Sequence, residues 1–318
     1  MLRTLAAAAL AAVLAAPLSV AAQFPGKPIR VIVPFPAGSS TDTVTRILAN
    51  SVSQAMAQPL IVENKAGADG AIAASEVAKA AADGYTLLMA TNSPMSAVPA
   101  MKKVPPYDPV ADFTPITDVG RYTFFILLHP SVPARTLAEL IGYARANPGR
   151  LNYASGNTTG IVSSAFFASQ AKIDMVHVPY KGEPQAITDL VAGRVQFMFC
   201  SSGTSITHIR EGKLRALVTT LPKRSSLLPE VPTIAEAGMP QFSIISWAGL
   251  FGPARMPREV VAQLNREFVA ALRKQQIAYE YHESPGAHTF AYWDREIRPF
   301  LEVLAEHMPI RRQLGPRP

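Results

Sequence analysis

Residues 27–50 read KPIRVIVPFPAGSSTDTVTRILAN. The run from Ile29 to Val33 has the apolar, β-branched composition of a buried strand. It breaks on Pro34, Pro36 and Gly38, and Ser39 to Asp42 then offer hydroxyls and an acid where a helix can be capped. Beyond them Val44, Ile47, Leu48, Val52 and Ala55 recur at helical spacing. A strand, a glycine-bearing loop and a helix in that order form the first half of a β–α–β unit. Such a loop serves either as a plain connection or as a place where a ligand meets the free N–H groups of a helix start.

The same rhythm repeats along the chain. PLIVENKAG reads as strand and loop, the stretch from Ala71 as a helix stopping at Gly84, and YTLLMAT as a strand. YDPVADFTPITDVGRYTFFILLHP, residues 107–130, changes character: turns give way to a long extended run that can cross to a second domain. The alternation then restarts, with helices over Leu137–Ala146, Ile161–Gln170, Pro184–Ala192 and Thr204–Glu211. Between them lie the strands LNYAS, MVHVPY, RVQFMFC and KLRALVTT. SIISWAGLFGPA is a second crossover, and Pro257 opens a last helix whose buried face is Val260, Val261, Leu264, Phe268 and Leu272. Two α/β blocks joined by two crossovers predict a two-lobed fold with a ligand cleft between lobes, at the carboxyl ends of parallel strands. The expected divisions are 1–22 as a leader, 23–125 as the first part of lobe 1, 126–243 as lobe 2, and 244–318 as the completion of lobe 1.

The leader has the marks of a secretory signal: Arg3, an apolar run from Leu5 to Ala16, and a small-x-small ending at Val20-Ala21-Ala22. That run is shorter than the roughly 20 residues that span a bilayer. The mature protein is therefore expected to be exported, soluble, monomeric and periplasmic. Cys200 is the only cysteine, so no internal disulfide can form. The formal net charge is +7, with the basic residues scattered. A nucleic-acid binder would carry a basic stripe with interleaved aromatics, and none is present.

Three loops share one design, a strand followed by glycine and polar groups and then a helix: PFPAGSSTD, YASGNTTG and HVPYKGEP. Glycine admits a ligand close to the backbone, and helix starts attract anions. Capping accounts for each loop singly; together they point to a small carboxylate or other anion. Asp42 suits either a ligand amine or hydroxyl, or a local pair with Arg46 four residues on. Lys181 suits an anion or solvent, and His177 suits a packed, hydrogen-bonded role. The six histidines lack metal-ligand spacing, and no metal or cofactor is expected. There is no G-x-S-x-G elbow, no Walker loop and no G-x-G-x-x-G.

The ordered set KPIRVIVPFPAGSSTD, VENKAGADGAIAASEVAKAAADGYTLL, YDPVADFTPIT, LNYASGN, VHVPYKGEPQAITDLVAGRV, GKLRALVTT, RSSLLPEVPTIAEAGMP and SWAGLFGPA resembles the Bug family. These are the extracytoplasmic solute receptors of tripartite tricarboxylate transporters. The resemblance spans Phe24 to Arg273 and implies a type II periplasmic-binding-protein fold, a Venus flytrap. It also implies a small organic acid as ligand and membrane transporter subunits as partners. Carried over, it marks Pro36, Ala37, Gly38, Ser39 and Asp42 on one side of the cleft. Ser155, Gly156, Asn157 and Thr158 lie opposite, with Tyr180 and Lys181 nearby. The family's second glycine after PFPAG is here Ser39. Its common acid after the V-D-x-M-F strand is here Cys200, which weakens the case for an amine-bearing ligand. Residues 279–301, YEYHESPGAHTFAYWDREIRPFL, resemble instead the tail of esterase-D-type hydrolases. There His288 would be a triad histidine, though with no nucleophile elbow to serve. An exported hydrolase using His288, and a binding module feeding a sensor, are the alternatives.

Overall fold

The computed structural model describes residues 24–242 and 244–275. The leader at 1–22 and the esterase-like tail with His288 lie outside the described residues.

The first lobe is a five-stranded sheet built from β1 (Ile29–Val33), β2 (Leu60–Asn64), β3 (Thr86–Thr91), β4 (Phe113–Tyr122) and, much later in the chain, β10 (Ser246–Pro253). The order across it is β2-β1-β3-β10-β4. β1 runs parallel to β2 and β3, whereas β10 runs antiparallel to β3 and β4. Its helices include α1 (Ser40–Met56), α2 (Ala71–Ala78) and the last described one, α8 (Arg258–Lys274). In α8, Leu264, Phe268 and Leu272 are fully buried against Leu48, Val52 and the sheet, as the sequence spacing predicts. Val260 and Val261 are only partly covered.

The second lobe repeats the plan. Its strands are β5 (Phe124–Leu128), β6 (Leu151–Ser155), β7 (Met175–Pro179), β8 (Phe197–Ser201) and β9 (Arg215–Thr219), in the order β7-β6-β8-β5-β9. Its helices include α4 (Leu137–Ala146), α5 (Thr158–Ala171), α6 (Glu183–Val191) and α7 (Ser202–Arg210), following the short α3 (Val98–Met101). The core centres on Phe167, Phe197, Phe199 and Phe242, with Phe199 and Phe242 stacked at 5.6 Å.

Both sheets are mixed, and the reason is the crossing of the chain. β4 leads straight into β5, and β5 lies antiparallel to β8 and β9. β10 returns to lie antiparallel in the first sheet. The change of sheet falls at Thr123, because Phe124 already pairs with Ser201.

Candidate ligand cleft

The loop after β1 builds one wall of the cleft. Gly38 takes a φ of +80°, which strains any side-chain-bearing residue. This lets its N–H donate to Asp42 Oδ2 at 2.9 Å. Ser39 caps α1: its Oγ accepts from the N–H of Asp42 at 3.3 Å, and its own N–H donates to the carbonyl of Pro36. Among the described residues, the first-turn N–H groups left without such a partner are those of Ser40 and Thr41.

Asp42 resolves in favour of the local reading. Its carboxylate accepts from Gly38, from Arg46 at 3.0 Å and from Asn64 at 2.8 Å. Burial opposes ionisation of Asp42, but Arg46, Gly38 and Asn64 together outweigh it and hold the pKa below the ordinary value.

The facing wall comes from the second lobe. Asn157 caps α5 by accepting from Gly160 N–H at 2.8 Å. Gly156 is required by close approach: a Cβ there would lie 2.2 Å from the backbone nitrogen of Glu183. Ser155 Oγ meets His177 Nε2 at 2.6 Å, and His177 stacks on Tyr153. A serine–histidine pair at this distance has the shape of a nucleophile and base. Ser155 is buried, however, and does not line the cleft, so the pair braces β6 against β7.

The two walls touch. Ser40 Oγ lies 2.7 Å from Ser201 Oγ, and Asn92 Nδ2 donates to Thr159 Oγ1 at 2.9 Å. Asn92 Oδ1 accepts in turn from Ser246 at 3.0 Å. Between the walls lies a cavity of about 30 Å³, room for one or two water-sized groups. Hydroxyl-bearing side chains dominate its lining, among them Ser39, Ser40, Thr41, Ser93, Thr159 and Ser201, with Phe35 and Phe124 beside them. Tyr122 also faces it and donates to Thr41 Oγ1 at 3.0 Å, its phenol pKa pushed up by burial.

The one carboxylate lining this cavity, among the described residues, is that of Glu183, and no Lys, Arg or His lines it. Glu183 is 5% exposed and sits at the first turn of α6. Its Oε1 accepts from Asn157 Nδ2 at 3.1 Å and, at 3.4 Å, from the N–H of Ser201. Its Oε2 accepts from the hydroxyls of Ser201 and Thr204. Burial pushes its pKa up, and these four neutral donors only partly offset that. Cys200, alongside, is fully buried; burial and the Glu183 charge push its thiol pKa up, so it is not a reactive group.

Of the residues marked from the sequence, Ser39, Gly156 and Asn157 line the cavity. Pro36, Ala37, Gly38, Asp42, Ser155 and Thr158 shape the loops around it without lining it, and Thr159 takes the place expected of Thr158. Tyr180 and Lys181 stand off. The Tyr180 hydroxyl donates to Asp189 at 2.7 Å, with its own pKa pushed up to about 12 by burial and by Asp189, and Lys181 is exposed. Sequence reasoning missed Asn92, Tyr122, Ser201, Ser246 and above all Glu183. It quoted Glu183 inside HVPYKGEP, where an acid at a helix start is ordinary. The inference from Cys200 also needs correction: the cleft does carry an acid, supplied by α6 in place of the strand end.

Two mixed α/β sheets, crossed twice by the chain and meeting at helix starts, define a two-lobed binding protein. The profile of the tripartite tricarboxylate transporter family receptors matches residues 44–296, and the chain belongs to that family. BugT of Bordetella pertussis is 35% identical over 269 residues, 83% of this chain and 82% of BugT. A solved structure described as a periplasmic transporter is 36% identical with a TM-score of 0.84, covering 90% of this chain and 99% of that one. The R. palustris protein Rpa4515, solved with adipate, is 31% identical with a TM-score of 0.83, covering 89% of this chain and 97% of that one. The family match runs through most of residues 279–301, so the receptor family covers that stretch and the esterase-type reading of His288 gains no support. Among the described residues, no helix is long and apolar enough to cross a membrane.

Proposed function

We propose that this protein is an exported, periplasmic receptor, a monomer and not an enzyme. It captures a small carboxylate-bearing compound between its lobes and hands it to the membrane subunits of a tripartite transporter. The observation that carries the reading is the cleft itself. The unbonded N–H groups of Ser40 and Thr41 and the hydroxyls of Thr41, Ser93 and Thr159 converge on one cavity from both lobes. Such donors hold a carboxylate without a formal positive charge. Membership in the receptor family and the adipate in Rpa4515 support the same ligand class.

The lobes touch through Ser40 and Ser201 and through Asn92 and Thr159, so they part to admit a ligand and close around it. The membrane subunits then recognise the closed form, whose population the ligand raises. Calorimetric titration of the folded protein with di-, tri- and aromatic carboxylates and acidic amino acids tests the reading. One-site binding of at least one of them is expected. No heat from any of them would contradict it.

A further inference from the structure

We propose that Glu183 selects the ligand, and that this receptor takes a carboxylate bearing a protonated amine in preference to the same acid without one. The inference rests on the carboxylate-receptor reading above and sharpens it.

Ser201 spends its one hydroxyl proton on Glu183 Oε2. The contact between Ser40 and Ser201 at 2.7 Å must then be made with the proton of Ser40. Thr204 likewise donates to Glu183, at 3.1 Å. This corner of the cavity therefore presents a carboxylate and the lone pairs of two serine oxygens. It offers acceptors and repels a second anion.

Other hydroxyls of the lining are held the other way round. Thr41 Oγ1 accepts from Tyr122, and Thr159 Oγ1 accepts from Asn92, so each keeps its own proton to give. The unbonded N–H groups of Ser40 and Thr41 add donors. One cavity thus carries both free donors and free acceptors, with no cation among its lining residues to neutralise Glu183. Burial already opposes the ionised form of Glu183; a second carboxylate nearby would oppose it further, whereas a ligand cation would favour it. A zwitterion matches both donors and acceptors: its carboxylate meets the threonine hydroxyls and N–H groups, and its ammonium meets the Ser40 and Ser201 oxygens beside the Glu183 carboxylate, whose own lone pairs are already taken by Asn157, Ser201 and Thr204.

The test uses matched pairs that differ by one amino group: propionate and alanine, succinate and aspartate, glutarate and glutamate, adipate and 2-aminoadipate. Affinities are measured by calorimetry for the wild type and for Glu183→Gln, which keeps the shape and removes the charge. In the pair that binds best, the amine-bearing member should bind the wild type at least tenfold tighter, and Glu183→Gln should shrink or reverse that ratio. A wild-type preference for the plain acid, or a ratio untouched by Glu183→Gln, overturns the role of Glu183 while leaving the carboxylate receptor standing. Binding of neither member of any pair by folded protein overturns this inference, while the receptor reading falls only if the wider panel of tricarboxylates and aromatic acids is silent as well. The wild-type ratio needs no variant, so a Glu183→Gln protein that fails to fold still leaves a decisive measurement.

Discussion

Ser40 on the first lobe and Ser201 on the second meet hydroxyl to hydroxyl at 2.7 Å, and Ser201 is in turn held by the buried carboxylate of Glu183. The bond joins residues 161 positions apart in sequence, and it exists only when the lobes are together. It is a latch whose polarity is set from the second lobe.

Loss of this latch should weaken closure and hence binding. A neutral hydrogen bond contributes about 0.5–1.5 kcal/mol net. Ser40→Ala and Ser201→Ala are each expected to lower ligand affinity by about 2- to 10-fold. The double variant should lose less than the product of the two, because both remove one shared contact. Calorimetric titration of the four proteins checks this, and full additivity would mean that the two serines act separately.

Gly182 offers a steric test of the same closure. A Cβ there would lie 2.6 Å from Pro36 Cγ, across the cleft, while its φ of −177° suits alanine. Gly182→Ala should therefore leave each lobe folded, at a cost of about 1 kcal/mol or less from the helix cap. It should hold the lobes apart and lower affinity by about tenfold or more, the effect of some 1.4 kcal/mol. Thermal melting and titration together separate the two effects.

Asp42 makes a prediction in pH. Its folded-state pKa lies below the ordinary 3.8. The unfolded chain thus binds more protons in that range, and the stability Asp42 contributes is fully present above about pH 4–5 and is lost as pH falls. Denaturant unfolding of the wild type and Asp42→Asn should show their largest difference near neutral pH, shrinking below pH 4. A difference that grew on acidification would reverse the sign and contradict the assigned bonds to Arg46, Gly38 and Asn64.

Local chemistry made most of the fold legible. The helix over Leu137–Ala146 and the strand Leu151–Ser155 stand where periodicity and turn residues put them. The pairing of Asp42 with Arg46 follows from i, i+4 spacing. Three of the cleft's helix starts could be read from glycine and hydroxyls after a strand. The antiparallel placement of β5 and β10 needed the crossovers in three dimensions.

The site was legible only where one loop carried it. Ser39, Gly156 and Asn157 belong to such loops. Tyr122, Ser201 and Ser246 come from three separate segments, and only the meeting of the lobes brings them to one cavity, with Asn92 bridging to Thr159 beside it. Glu183 looks like an ordinary first-turn acid until Asn157, Ser201 and Thr204 of its own lobe fold around it. Tyr180 and Lys181 were adjacent in sequence to the right loop, but Asp189 and solvent claim them.

The central claim is that the lobes close on a small carboxylate-bearing ligand. Ile61 on β2 and Val176 on β7 are exposed, one on each lobe, and Cys200 is buried. Ile61→Cys and Val176→Cys together can therefore carry a fluorophore pair with little labelling elsewhere. The distance between these labels should shift to a new value as ligand is added, saturating at the affinity found by calorimetry. A distance unchanged while calorimetry shows binding would contradict closure.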